Sequence, residues 1–148
     1  MKANELMARY GMAPHVEHGS FLEKHPPCPA AARPASGLMY YYVAADERTQ
    51  FHRIDCDEYW CYAAGSPLEL WQVTPQGKLS VSRLGVEQDC EPVIFVPQGT
   101  VFAARGLGCD DGTFLSCITV PRFQRDALTL FSREEMLGRC PALTRFYD

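Results

Sequence analysis

From Leu38 to Val120 the chain reads as one short strand after another, and this succession constrains the fold more than any other feature. The segments Leu38–Ala44, Gln50–Ile54, Glu58–Ala63 and Leu68–Thr74 are rich in β-branched, aromatic and other apolar residues. Lys78–Leu84, Pro92–Val96, Val101–Arg105 and Thr113–Val120 continue the series, with Gly, Pro and Asp clusters between them. About eight short strands at close spacing predict an all-β sandwich or barrel. Pro75-Gln76-Gly77 predicts a hairpin turn. Leu38–Ala44 (LMYYYVA) is apolar without alternation, so both of its faces are expected to be covered.

The flanks differ in character. Asn4 is placed to cap a first helix whose apolar face is Leu6, Met7 and Tyr10, with Gly11 ending it. Pro26, Pro27, Pro29 and Pro34, with the alanines among them, predict an extended connector. Ser132 and Glu135 form a capping box, with Phe131 and Met136 at staple positions, so a short helix is expected over about Arg133–Arg139, stopped by Pro141. One domain, 1–148, follows: a helix and extended arm over 1–37, a barrel core over 38–121 and a C-terminal segment over 122–148.

With 47% hydrophobic and 22% charged residues, the 148-residue chain has the composition of a globular protein. Its formal net charge is −4 and no basic stripe interrupts the mixed charges, which argues against a nucleic-acid partner. No apolar run is long enough for a membrane span, and MKANELMARYGM lacks the apolar core of a signal peptide, so a cytoplasmic protein is expected. Seven cysteines, with no Cys-x-x-Cys pair, read as reduced thiols that fill space.

His52 and Glu58 stand six residues apart, and Gly65 follows. Histidine and carboxylate are the residue types of a metal site or an acid/base pair. Strand alternation puts His52 and Ile54 on one face, and Glu58, Trp60 and Tyr62 on one face. A second concentration of polar chemistry lies at His15, Glu17, His18 and Glu23. Asp55 and Asp57 read as turn residues bonded to local backbone, Arg53 as a salt-bridging or interface residue, and His25 as structural. Gly106–Gly112 carries two aspartates and no lysine, so it reads as a hairpin loop rather than a phosphate cradle.

These motifs carry a resemblance. Pro14-His15-Val16-Glu17-His18-Gly19, Phe51-His52-Arg53-Ile54-Asp55, Asp57-Glu58-Tyr59-Trp60 and Gly65-Ser66-Pro67-Leu68-Glu69-Leu70 resemble the small single-domain cupins of unknown function, loosely labelled predicted sugar epimerases. Val96-Pro97-Gln98-Gly99, Phe102-Ala103-Ala104-Arg105 and Cys117-Ile118-Thr119-Val120-Pro121 extend the match along the chain. The resemblance implies a double-stranded β-helix barrel, jelly-roll-like, and a homodimer that would cover the outer face of Leu38–Ala44. Ile54 stands where the wider pattern has a second metal-binding histidine, and Phe102 stands where its second motif has another.

By the same resemblance, the face carrying His52 and Glu58 is the barrel interior. Tyr40, Tyr42, Phe102 and Ala104 are expected to join it, giving an aromatic wall of Trp60, Tyr62 and Phe102 around a polar centre. Three readings follow. The first is proton-transfer isomerisation or epimerisation of a carbohydrate-like or hydroxy/keto compound. In it His52 is the base, Glu58 orients it or serves as acid, and Tyr40 or Tyr62 returns a proton on the opposite face. The second is a metal-dependent enzyme such as an oxygenase, with a divalent metal on His52 and Glu58 and a third ligand from His15, His18 or Cys61. The third is a binding module in which His15, Glu17, His52 and Glu58 meet a small ligand's hydroxyls and the aromatics stack on it. A packed core in which His52 and Glu58 bond only each other or the backbone stands beside all three.

Overall fold

A computed structural model describes residues 1–28 and 32–148. Pro29 and its two alanine neighbours in the connector lie outside the described residues. Two antiparallel sheets form, as the strand pattern predicts. One takes β1 (Ala13–Pro14), β2 (Ser20–Glu23), β3 (Gly37–Val43), β5 (Asp57–Gly65), β8 (Val93–Val96) and β10 (Thr113–Val120). Its order is β1-β2-β3-β10-β5-β8. The other takes β4 (His52–Arg53), β6 (Leu68–Val73), β7 (Leu79–Leu84), β9 (Val101–Gly106) and β11 (Thr129–Leu130), in the order β11-β4-β9-β6-β7.

Pro75–Gly77 does close the β6–β7 hairpin, with Gly77 in the left-handed region at φ 83°. Gly106–Gly112 does not close a hairpin. It carries the chain from β9 in one sheet to β10 in the other.

The core lies between the sheets. Tyr41 and Val43 from β3, Trp60 from β5, Leu68 and Leu70 from β6, Phe102 from β9 and Leu115 from β10 are all buried there. β6 is buried on its other face too, because Trp71 and Val73 meet a second cluster. That cluster is built by Phe131, by Met136 of α2 (Arg133–Arg139), and by Leu143 and Phe146. The Ser132–Glu135 capping box forms as expected, with Glu135 N donating to Ser132 Oγ at 3.1 Å and Ser132 N to Glu135 Oε2 at 2.6 Å. The sequence reading missed α3 (Thr144–Tyr147), whose Phe146 ring packs on Phe51 at 4.7 Å. Four residues are too few to show a helical period.

The cover over β3 comes from within the chain. Helix α1 (Ala3–Arg9) lays Leu6, Met7 and Tyr10 on Tyr40, Tyr42 and Phe114, which corrects the expectation that a second subunit covers this strand. Nor does Asn4 cap the helix. The Asp111 carboxylate, from the β9–β10 crossover, accepts from Ala3 N at 2.8 Å and Asn4 N at 2.9 Å. A side chain more than a hundred residues away thus supplies acceptors for the free N–H groups that begin any helix. Gly65 has a related cause. Its φ is 94°, and a Cβ there would stand 2.1 Å from the Gly112 carbonyl and 2.5 Å from Ala3 Cβ.

Two acidic residues expected to bond local backbone in a turn act at long range instead, Asp55 from the bend before β5 and Asp57 from the first position of β5 itself. Asp55 holds Arg33 of the N-terminal arm through paired bonds at 2.8 and 2.7 Å, and Asp57 accepts from Gln98 N at 2.9 Å. Arg53 stacks over Phe131 with its guanidinium carbon 5.4 Å from the ring centre.

Candidate active site

The strand pair β1–β2 ends in a tight turn that sends Glu17 inward. His15 N donates to Gly19 O at 2.9 Å, His18 N to His15 O at 3.0 Å, and His18 and Gly19 both have positive φ. Gly19 is required because a Cβ would meet the Tyr41 hydroxyl at 2.6 Å. That hydroxyl donates to His18 O at 2.6 Å, and Gln50 N donates to Glu17 O at 2.8 Å. The turn is therefore fastened to β3 and to the segment that leads into β4. Glu17 is only 4% exposed.

His52 meets Glu17 there. Its Nε2 lies 2.9 Å from Glu17 Oε2, its Nδ1 lies 2.9 Å from Gln50 O, and its ring packs 4.2 Å from that of Phe102. Both ring nitrogens face acceptors, so the state that satisfies both contacts is the imidazolium. Burial is the largest influence and opposes that charge, but Glu17, the Gln50 carbonyl and Glu58 together outweigh it, and the His52 pKa is raised. For Glu17 burial is again the largest influence and works against ionisation, but His52, His15 and the Tyr41 hydroxyl together outweigh it, so its pKa is lowered. The two form a buried ion pair.

His15 is different. Its Nδ1 accepts from Glu17 N at 3.2 Å, and burial, the largest influence, holds its pKa below the ordinary value. It is a neutral imidazole whose proton is on Nε2. Glu58, 4% exposed on β5, is pushed up to about 7, first by burial and then by the neighbouring Glu17 carboxylate. His52, the Cys117 thiol and the Trp60 indole act in the opposite direction. The Trp60 Nε1–H lies on the Glu58 side yet makes no hydrogen bond of good geometry, so it is a buried donor without a partner among the described residues.

These groups open onto a small cavity. His15, Glu17, His52 and Glu58 form its polar wall, and Met39, Ile54 and Phe123 are among its apolar lining. Glu23 and His25 line it as well, Glu23 being the more exposed of the two at 59% against 17% for the side chains.

The match to a family model covers residues 4–131 and is described as the cupin superfamily, DUF985. The chain belongs to that family. Among solved structures it is similar to a protein of Shewanella oneidensis at 26% identity and TM-score 0.87, over 98% of this chain and 94% of that one. It is also similar to a hypothetical protein from Leishmania major at 24% identity and TM-score 0.81, over 96% and 94% of the two chains. A cupin 2 domain-containing protein of Halorhodospira halophila shares the fold at 12% identity and TM-score 0.65, over 90% and 85%. No curated protein matches the chain. The barrel expected from the resemblance is thus a cupin β-sandwich of jelly-roll type with short terminal helices.

In this cupin the metal-binding pattern of the wider superfamily does not fit the donors present. Ile54 places an apolar side chain on the cavity wall where a second imidazole is needed. His52 spends both nitrogens on Glu17 and Gln50, which leaves no lone pair for a cation. Among the described residues no three His, Cys, Asp or Glu side chains converge as a ligand set.

The remaining expected site residues divide by position. His15, Glu17, His52 and Glu58 share the cavity. Trp60 and Phe102 do point inward, but they are 1% and 0% exposed and form packed core beneath the polar groups, not a wall that a ligand would touch. Tyr40 and Tyr42 are corrected outward, under α1, because the YYY run places Tyr41 inside instead. Tyr62 lies away from the cavity, its hydroxyl donating to Gly65 O at 2.6 Å, beside a bulge where β10 shifts register against β5. Cys61 lies off the cavity wall, and Cys117, which sequence reading passed over, lines it next to Glu58. Period-2 alternation from Glu58 places Trp60 inward as expected, and the register shift beside Tyr62 ends its use there. Nothing in the sequence says which residue of β10 faces Glu58, because register across strands is a tertiary property.

Proposed function

We propose that this cavity binds a small polar hydroxy or keto compound and moves a proton between two of its carbons. The observation that carries the reading is Glu58, a buried carboxyl on the cavity wall whose pKa is raised to about 7. Its acid and base forms coexist near neutral pH, which suits a group that must both take and return a proton. Glu58 as carboxylate removes the proton from the carbon beside a carbonyl, and the electron pair passes to the carbonyl oxygen. The His52 charge and the His15 Nε2–H face that developing oxyanion. The proton of the adjacent hydroxyl passes to that oxyanion, and as the second oxygen becomes the new carbonyl, Glu58, now protonated, delivers its proton to the former carbonyl carbon.

The base assigned from sequence was His52. With both nitrogens bonded, His52 instead holds charge and orients Glu17. Tyr40 and Tyr62 do not line the cavity, so a proton donor on the opposite face is missing from the tyrosines expected to supply it. A single carboxyl serving both steps favours isomerisation over epimerisation.

Solvent deuterium exchange tests the reading. Incubated in D₂O with small hydroxycarbonyl compounds, the protein should catalyse exchange at the carbon next to the carbonyl, and Glu58→Gln should abolish it. A compound that binds in the cavity without exchange would make this a binding module.

We further propose a second copy of the chain as partner, seated on the half of the six-stranded sheet that α1 leaves open. Tyr59, Val93, Phe95, Ile118 and Val120 are 36–49% exposed there, and Ile118, Tyr59 and Phe95 are direct cross-strand neighbours. A cytoplasmic setting is proposed on the odd number and scattered placement of the seven cysteines, which show no paired spacing.

A further inference from the structure

The charges around the cavity restrict what can enter it. Glu17, Glu23 and Glu58 bring three carboxyl groups to its lining, and no lysine or arginine lines it among the described residues. The imidazolium of His52 has its two N–H groups already bonded to Glu17 and Gln50. His15 accepts the Glu17 N–H at Nδ1, at 3.2 Å, as a neutral ring does, and the His25 ring is engaged by Leu38 at Nδ1 and by the Glu23 carboxylate 3.5 Å from Nε2. Arg125, on the turn after β10, acts on His15 from a distance but is not part of the wall.

We infer that the cavity selects uncharged hydroxycarbonyl compounds and rejects their phosphate and carboxylate counterparts, nucleotide-linked sugars included. The inference rests on the proposed function for the site and narrows its substrate class. A phosphate pushed into this lining would leave water with no N–H fork to receive it and with carboxylates close by. Burying such a charge unpaired costs far more than burying a hydroxyl that finds a bond. An uncharged polyol or hydroxyketone finds partners for both kinds of polar atom. Its hydroxyls can donate to Glu17 or to ionised Glu58, and its carbonyl oxygen can accept from His15 Nε2 or from protonated Glu58. The apolar side chains of Met39, Ile54 and Phe123 suit its C–H edges.

Matched pairs of probes test this: dihydroxyacetone with dihydroxyacetone phosphate, and D-glyceraldehyde with D-glyceraldehyde 3-phosphate. Binding is read at pH 7.5 and low salt from the NMR signals of the His15 ring and the Met39 methyl group, so that only occupancy of this cavity counts. The neutral member of each pair should bind at least tenfold more tightly, and Glu23→Gln should narrow that gap. Equal or tighter binding of the phosphate overturns the inference, as does failure of both neutral members to perturb either signal at 50-fold excess over protein. Binding of the neutral members without deuterium exchange sustains the charge selection while refuting the proton-transfer reading.

Discussion

Glu17 and His52 lie 35 positions apart in the chain and meet inside the barrel, with 2.9 Å between Glu17 Oε2 and His52 Nε2. Each is buried at a few per cent exposure, and each shifts the other toward its charged form against the pull of burial. The pair fixes the turn over His15–Gly19 to the barrel and leaves Glu58 beside a permanent carboxylate. Everything proposed for the site depends on that arrangement.

Removing one partner of a buried ion pair commonly costs about 3–5 kcal/mol. Glu17→Gln should destabilise the protein by that order in urea unfolding at pH 6. The His52 ring, followed by its proton NMR titration, should lose its raised pKa because the carboxylate that raised it has gone. The pH dependence of stability has two sides in the wild type. The Glu17 contribution is present above the ordinary carboxylate value of 4.5 and is lost as pH falls through its lowered folded value. The His52 contribution is present below 6.5 and is lost as pH rises through its raised folded value.

Glu58 behaves in the opposite sense to Glu17. Its pKa rises from 4.5 in the unfolded chain to about 7 in the fold, so the native state holds a proton that the unfolded state has released. Stability from this group therefore falls as pH rises from 4.5 to 7, by about 3 kcal/mol in all. Glu58→Gln should flatten that part of the profile. The variant should gain on the wild type by about that amount at pH 8, and it should gain nothing through this route at pH 4.

The eight strands between Leu38 and Val120 and the β6–β7 hairpin were legible in the sequence because hydrophobic period and turn chemistry are local signals, whereas the two- to four-residue strands β1, β2 and β11 outside that span were not. The α2 capping box and the inward placement of Glu58 were legible as well. Glu17 and His15 were recognised as a polar cluster, but its destination was not, since the turn at His18 and Gly19 owes its position to the Tyr41 hydroxyl on another strand. Tyr40 and Tyr41 were exchanged for a physical reason. In a strand apolar on both faces, alternation carries no phase, and α1 settles it by covering Tyr40. The locked state of His52 depends on a carbonyl and a carboxylate that no motif spacing encodes.

Asp111 should matter to stability although it lies in a crossover loop. Its carboxylate takes the first N–H groups of α1, and the helix in turn covers Tyr40, Tyr42 and Phe114. Loss of a capping side chain typically costs about 0.5–2 kcal/mol. Asp111→Ala should fall at the upper end in urea unfolding, and hydrogen exchange should accelerate in Ala3–Arg9 before it does in the central strands.

The open sheet face predicts self-association. Phe95→Asp places a charge in the row that Ile118, Tyr59 and Phe95 form across β10, β5 and β8. Light scattering after size exclusion should give a mass near twice the 16.6 kDa chain for the wild type and near the single chain for the variant. A wild-type protein that stays monomeric at 100-fold dilution steps from millimolar concentration would refute the dimer.

Proton transfer in the cavity depends on the protonation of Glu58, and a carboxyl ¹³C NMR titration measures it directly. With the glutamate side-chain carboxyls labelled and the Glu58 signal identified by its loss in Glu58→Gln, the midpoint should lie at about 7. A Glu58 signal that titrates with the exposed glutamates, at about 4.3, would contradict the proposal that this carboxyl carries the proton.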